Sequence, residues 1–213
     1  QFNNYNDLDC VDHLNLDIPN ERQYVLRMLI KNNNTQLLVP DYLLWTKPLI
    51  NKGFEYQEQI GVKHPFVYLT IRSGVVSTKT DDQWHVDGFS MKITHLPEQN
   101  YIWCDHTPTE YLIKPLDIPN DFNTDKHNIH LYFNDHINKN DIIKQLMPKN
   151  LYCIDPYIIH RRPINTFNKQ RTFIRLSFTP IEINDINNTI NPLINTVYTK
   201  NGLEFRNKLI RYD

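Results

Sequence analysis

Arg171-Thr172-Phe173-Ile174-Arg175-Leu176-Ser177-Phe178 alternates from end to end. Side chains of a strand point to opposite faces in turn, so Thr172, Ile174, Leu176 and Phe178 make one apolar face. Arg171, Phe173, Arg175 and Ser177 make the other. That is a strand with one side on a hydrophobic core. Two arginines on its second face are costly to bury unless they meet anions. Either that face lies in water at a sheet edge, or it clamps a carboxylate, which a guanidinium matches with two parallel hydrogen bonds.

Outward from this segment the texture is mostly β. Phe66-Val67-Tyr68-Leu69-Thr70-Ile71 reads as a strand by its β-branched and aromatic content, stopping at Ser73-Gly74. Further short strands are expected over 83–89, 91–94, 101–104, 151–154, 157–161 and 172–178. Helical signals come first in the chain. Over 17–32, Pro19 marks a start and Tyr24, Val25, Met28 and Leu29 share one helical face. A second helix is expected over 49–60, weakened by Gly53. Ile129, Phe133 and Ile137, then Ile142, Ile143, Leu146 and Met147, predict a helical insert ending before Pro148. Asn201-Gly202 signals a tight turn. The expectation is one domain over 1–213, mainly β with flanking α, of the jelly-roll or cupin-like kind. Its parts are a helical stretch 1–63, a jelly-roll core 64–180 with the insert at about 116–148, and a C-terminal extension 181–213.

Composition narrows the partners. The 213 residues carry 23 Lys and Arg against 24 Asp and Glu, a net charge of −1, which gives no broad attraction for nucleic acid or acidic membrane. No apolar run reaches the roughly 18 residues a membrane span needs. Cys10, Cys104 and Cys153 are odd in number and far apart, which fits a reducing, cytoplasmic setting and no zinc spacing. The chain has 26 asparagines and no alanine, as an AT-rich genome would favour. No Gly-rich phosphate loop and no Gly-x-Ser-x-Gly occurs, so nucleotide-hydrolysing and serine-hydrolase chemistries have no residues to stand on.

Chemistry enters at Trp84-His85-Val86-Asp87-Gly88. On a strand His85 and Asp87 face the same way, as two unlike ligands of one metal must. His160 ends the apolar run Tyr157-Ile158-Ile159, 73 residues after Asp87. Two histidines and one carboxylate take one face of Fe(II) and leave the opposite face open. In this order the pattern resembles the 2-oxoglutarate- and Fe(II)-dependent dioxygenases, including their phytanoyl-CoA-hydroxylase-like and taurine-dioxygenase-like branches. The matching residues are His85-x-Asp87, His160, and Arg171 or Arg175, eleven and fifteen positions after His160. Arg175-Leu176-Ser177 also fits the Arg-x-Ser of some branches.

The resemblance covers about 64–180 and implies a double-stranded β-helix with leading helices. It implies that His85, Asp87 and His160 hold Fe(II), and that Arg171 or Arg175, with Ser177, grips the far carboxylate of the co-substrate 2-oxoglutarate. Arg171 has the slightly more usual spacing. It further implies O₂-dependent hydroxylation of a prime substrate with release of succinate and CO₂. That substrate is a small molecule or a protein or peptide side chain, and nucleic acid and membrane are disfavoured. Subfamily and oligomeric state stay open. The alternatives are a cupin-like metalloenzyme of another class, an isomerase or one-substrate dioxygenase, and a non-catalytic jelly-roll binding module. Asn100 and Tyr68 are candidate polar partners of the co-substrate, and one face of the strand 101–104, where Tyr101 and Trp103 alternate with Ile102 and Cys104, is expected to line the lumen. His127, His130, His95 and His106 read as exposed histidines, and Arg161-Arg162 as a positive spot or a partner of nearby carboxylates.

Overall fold

A computed structural model describes residues 1–2, 8–75, 83–89, 97–138, 140–141, 143–164 and 168–212. The predicted strand at 91–94, and His95, lie outside them.

Among the described residues nine strands form two antiparallel sheets. The strands are β1 (Cys10–His13), β2 (Gln23–Lys31), β3 (Phe66–Val75), β4 (Gln99–Cys104), β5 (Glu110–Leu112), β6 (Ile143–Gln145), β7 (Asn150–Ile154), β8 (His160–Arg161) and β9 (Gln170–Thr179). One sheet runs β1-β7-β4-β9-β3-β2 and the other β6-β5-β8. Helices α1 (Lys47–Gln59), α2 (Ile129–His136) and α3 (Gly202–Asn207) flank them. The protein is mainly β, as expected.

The larger sheet has two unlike faces because its central strands alternate. Val67, Leu69 and Ile71 of β3, Tyr101 and Trp103 of β4, and Ile174, Leu176 and Phe178 of β9 share one buried cluster with Leu49 and Ile50 of α1. The other face carries Tyr68, Thr70, Asn100, Ile102, Phe173, Arg175 and Ser177, aligned by the register Tyr68↔Ser177↔Asn100 and Thr70↔Arg175↔Ile102. Part of this face is dry: Ile102 and Phe173 pack with Tyr111 of β5, Ile154 of β7 and Ile158. The second sheet therefore lies against it, leaving a polar strip around Arg175 and Ser177. Tyr101 and Trp103 belong to the α1 side and not to this strip.

Helix α1 begins with Pro48 in its first turn, where the missing N–H costs nothing. Its Gly53 sits against β9, where an added Cβ would lie 2.5 Å from Leu176 Cδ2 and 3.3 Å from Phe178 Cε2. Gly→Ala in a helix interior ordinarily stabilises by about 0.5–1 kcal/mol. Here Gly53→Ala should instead destabilise by about 1–3 kcal/mol through overpacking. Urea unfolding measures this, and a more stable variant would show that helix and sheet can separate.

Several sequence expectations are corrected. Residues 17–32 are not a helix; Gln23–Lys31 is an edge strand paired with β3. A bulge explains the misleading spacing. Arg27 takes φ 42° and the register shifts between Val25 and Met28, so these two residues, three apart, both face the α1 cluster. Within 1–63 the strands β1 and β2 therefore hold as many residues as the helix α1. Among the described residues the insert keeps one helix, α2, capped by the Asn128 side chain, which accepts from the His130 and Leu131 N–H groups. Beyond it, Ile143–Gln145 is a strand paired with β5 and not helix. Strand β3 runs through Ser73-Gly74 to Val75. The segments 83–89 and 157–161 hold less strand than expected, an isolated bridge at His85 and the two residues of β8. Asn201 caps α3 by accepting from Glu204 N–H and makes no hairpin. All three cysteines are free thiols. Among the described residues no helix is long and apolar enough to cross a membrane.

Candidate metal centre

Two backbone hydrogen bonds build the centre. His85 N–H donates to His160 O at 3.0 Å, and His160 N–H donates back to His85 O at 2.9 Å. This doubly bonded antiparallel pair puts both side chains on one side, with ring centroids 4.5 Å apart. Alternation does the rest. Trp84 and Val86 are buried with Ile159 against Phe133 of α2. Burying these residues turns His85, Asp87 and His160 the other way.

Helix α2 fixes the ligand-bearing segment. Asn134 accepts from Trp84 N–H at 3.1 Å and donates to Trp84 O at 3.0 Å. His130 Nε2–H donates to Val86 O at 3.2 Å, and its ring sits edge-on to His85 at 5.9 Å. His130 is thus no surface residue, and burial lowers its pKa. The i, i+4 spacing of His130 and Asn134 was visible, but nothing in the sequence said which strand they would touch. His127 lies apart, accepting from Asn123 N–H.

The three ligand atoms lie within 4.8 Å of one another, so His85, Asp87 and His160 could hold a metal ion. His85 Nδ1–H donates to Gln83 O at 2.7 Å and His160 Nδ1–H to Ile158 O at 2.9 Å. A carbonyl oxygen only accepts, so both Nε2 atoms carry the free lone pair in the neutral rings, the tautomer a metal requires. His160 Nε2 then faces Asp87 Oδ2 at 3.3 Å, acceptor against acceptor. Only a proton or a cation between them relieves that contact. The donor set fits a divalent first-row metal.

Charge reinforces the arrangement. Burial opposes ionisation of Asp87, but Arg175, its Nη1 at 2.5 Å, and then His160 hold the carboxyl well below the usual range. Burial, and then His160, push His85 down to about 4. Between pH 6.5 and 4 the unfolded chain therefore binds a proton at this residue that the folded chain does not. Protein stripped of metal should lose stability over that window as pH falls, with His130 adding in the same direction. A melting temperature unchanged between pH 6.5 and 4 would contradict it.

The remaining predicted residues divide. Arg175 joins the cluster through Asp87. Ser177 is buried and donates its Oγ–H to Asn100 Oδ1 at 2.5 Å. Arg171 goes elsewhere: its Nε donates to Thr107 O at 3.0 Å, its Nη2 reaches Cys104 Sγ at 3.2 Å, and it lies over Phe173. It is 7% exposed and has no carboxylate partner among the described residues. Tyr68 accepts from Ile183 N–H. Arg161 pairs with Glu110 at 3.0 Å and stacks over Trp84, so it is spoken for.

Glu98 was missed. It is largely buried beside the cluster, Asn100 Nδ2 donates to it at 2.8 Å, and burial raises its pKa. A Cβ on Gly88 would collide with the Glu98 carboxyl group, so glycine after Asp87 lets this carboxylate in. No motif spacing links residue 98 to the others.

No family model and no curated protein matches the chain. Among solved structures it is similar to AviO1 from Streptomyces viridochromogenes Tue57, 14% identical over 85% of this chain and 76% of that one, with TM-score 0.39. EvdMO1 is also similar, 14% identical over 56% of this chain and 28% of that one, with TM-score 0.30.

Proposed function

We propose that the protein is an Fe(II)- and 2-oxoglutarate-dependent oxygenase. The observation that carries this is the facial set of His85, Asp87 and His160, with both imidazoles held in the metal-binding tautomer. The two sheets would then be the walls of a distorted double-stranded β-helix, the smaller one completing the jelly roll. The bound iron and co-substrate supply the oxidation, and hydroxylation of a prime substrate is the expected outcome. The chain's own part is placement and charge. Carbonyls of Gln83 and Ile158 orient the ligands, and α2 holds their segment still.

Arg171 supports a dicarboxylate co-substrate. A buried guanidinium without an anion is costly, and the carboxylate of a bound ligand relieves it. Phe173 lies between Arg171 and Arg175 on one sheet face, with Ile102 opposite Arg175, a dry lining suited to the methylenes of 2-oxoglutarate. The test supplies Fe(II), 2-oxoglutarate and O₂ to the purified protein and measures succinate. Oxygen-dependent succinate, lost on chelation, is expected. A protein that binds metal but forms no succinate with any substrate tried, and no complex with 2-oxoglutarate, would be a metalloprotein of another class.

A further inference from the structure

Phe2 is 1% exposed and packs behind the metal centre, in the cluster that buries Trp84 and Val86. Two main-chain hydrogen bonds pin it. Phe2 N–H donates to Leu116 O at 2.8 Å, and Leu116 N–H donates back to Phe2 O at 3.2 Å. Its ring meets three others: Phe89 at 4.9 Å, Phe133 of α2 at 5.0 Å and Tyr157 at 5.9 Å. Phe89 and Tyr157 also meet, at 5.8 Å. Phe89 comes two residues after Asp87, and Tyr157 three before His160. Phe2 thus packs against both ligand-bearing segments and against the helix that holds one of them.

The pairing of the two segments with each other is a single bridge among the described residues, at His85 and His160. That bridge and the bonds from Asn134 and His130 fix the first segment as far as Val86. Asp87 comes next. Regular alternation would put Phe89 on the ligand side with it. Gly88, at φ 72°, breaks the alternation, and Phe89 packs with Trp84 and Val86 instead. The chain beyond Asp87 is therefore anchored on the Phe2 ring.

We infer that Phe2 is a positioning residue of the metal centre, setting Asp87 through Phe89 and His160 through Tyr157. The inference rests on the metal-centre reading above. Docking of Phe2 and binding of metal are then coupled, each favouring the other by the same factor.

The test compares Mn(II) affinity, read by the electron-spin-resonance signal of free Mn(II), in variants whose fold is checked by circular dichroism. Phe2→Ala should bind Mn(II) about tenfold more weakly, the lower end of what losing an outer partner of a ligand costs. Phe2→Leu refills most of the space and should come within about threefold of the parent. Ile50→Ala empties a buried position on the α1 side of the large sheet, and should lose stability but no Mn(II) affinity. A merely structural role would lower stability in both Ala variants and affinity in neither. Parental affinity in Phe2→Ala therefore overturns the inference and leaves the metal centre standing. If Phe2→Ala does not fold, the parent protein decides. Zn(II), which is diamagnetic, should slow exchange of the Leu116 N–H by about the same tenfold, followed by nuclear magnetic resonance. Leu116 exchange unchanged by bound Zn(II) overturns the inference as well. A parent that binds neither metal overturns the inference and the metal centre together.

Discussion

His160→Ala should weaken Fe(II) or Mn(II) binding by at least about a hundredfold, since removing even an outer-shell partner of a ligand costs 10–100-fold. The substitution takes away one of three ligand atoms and leaves the backbone in place. The two hydrogen bonds between His85 and His160 are main-chain bonds, so the bridge that positions His85 survives. The fold should stay intact while the centre fails. Calorimetric titration with Mn(II) reads the affinity, and circular dichroism reads the fold. Parental affinity in the folded variant would remove His160 from the centre.

Arg171→Leu should separate binding from stability. In the proposed complex this guanidinium meets the far carboxylate of 2-oxoglutarate in a poorly solvated pocket. Losing such a charged pair costs on the order of 2–5 kcal/mol, so co-substrate affinity should fall about 30-fold or more. Metal affinity should hardly move, since no ligand is touched. Stability should change by less than about 1 kcal/mol, because a buried guanidinium with no carboxylate partner among the described residues contributes little when no ligand is bound. Urea unfolding and 2-oxoglutarate titration of the metal-loaded variant measure the two effects. Parental affinity for 2-oxoglutarate would put the clamp elsewhere, and Arg175 would be the next residue to replace.

What the sequence revealed followed its regular periodicities. The alternation of β9 placed Ile174, Leu176 and Phe178 on one face and Arg175 with Ser177 on the other, as the structure has them. The same period put His85 and Asp87 on one side. Legibility failed where a local irregularity changed the period. A single bulged residue, Arg27, turned a strand into an imitation of a helix. Side chains recruited from distant elements were also unreadable. Glu98 carries no spacing signal and His130 only its i, i+4 spacing with Asn134, which names no target; the packing of α2 and the approach allowed by Gly88 bring them to the cluster. The two arginines showed the limit of parity: they share a face of β9, but only Arg175 reaches Asp87, while Arg171 turns toward Cys104 and Thr107.

The most direct measurement is a titration of 2-oxoglutarate into the Fe(II)-loaded protein under nitrogen, followed by visible absorption. Chelation of iron by the keto acid should give a metal-to-ligand charge-transfer band that saturates at one equivalent and is absent from Asp87→Ala. Fe(II) bound by His85, Asp87 and His160 with no such band at any 2-oxoglutarate concentration would contradict the oxygenase assignment.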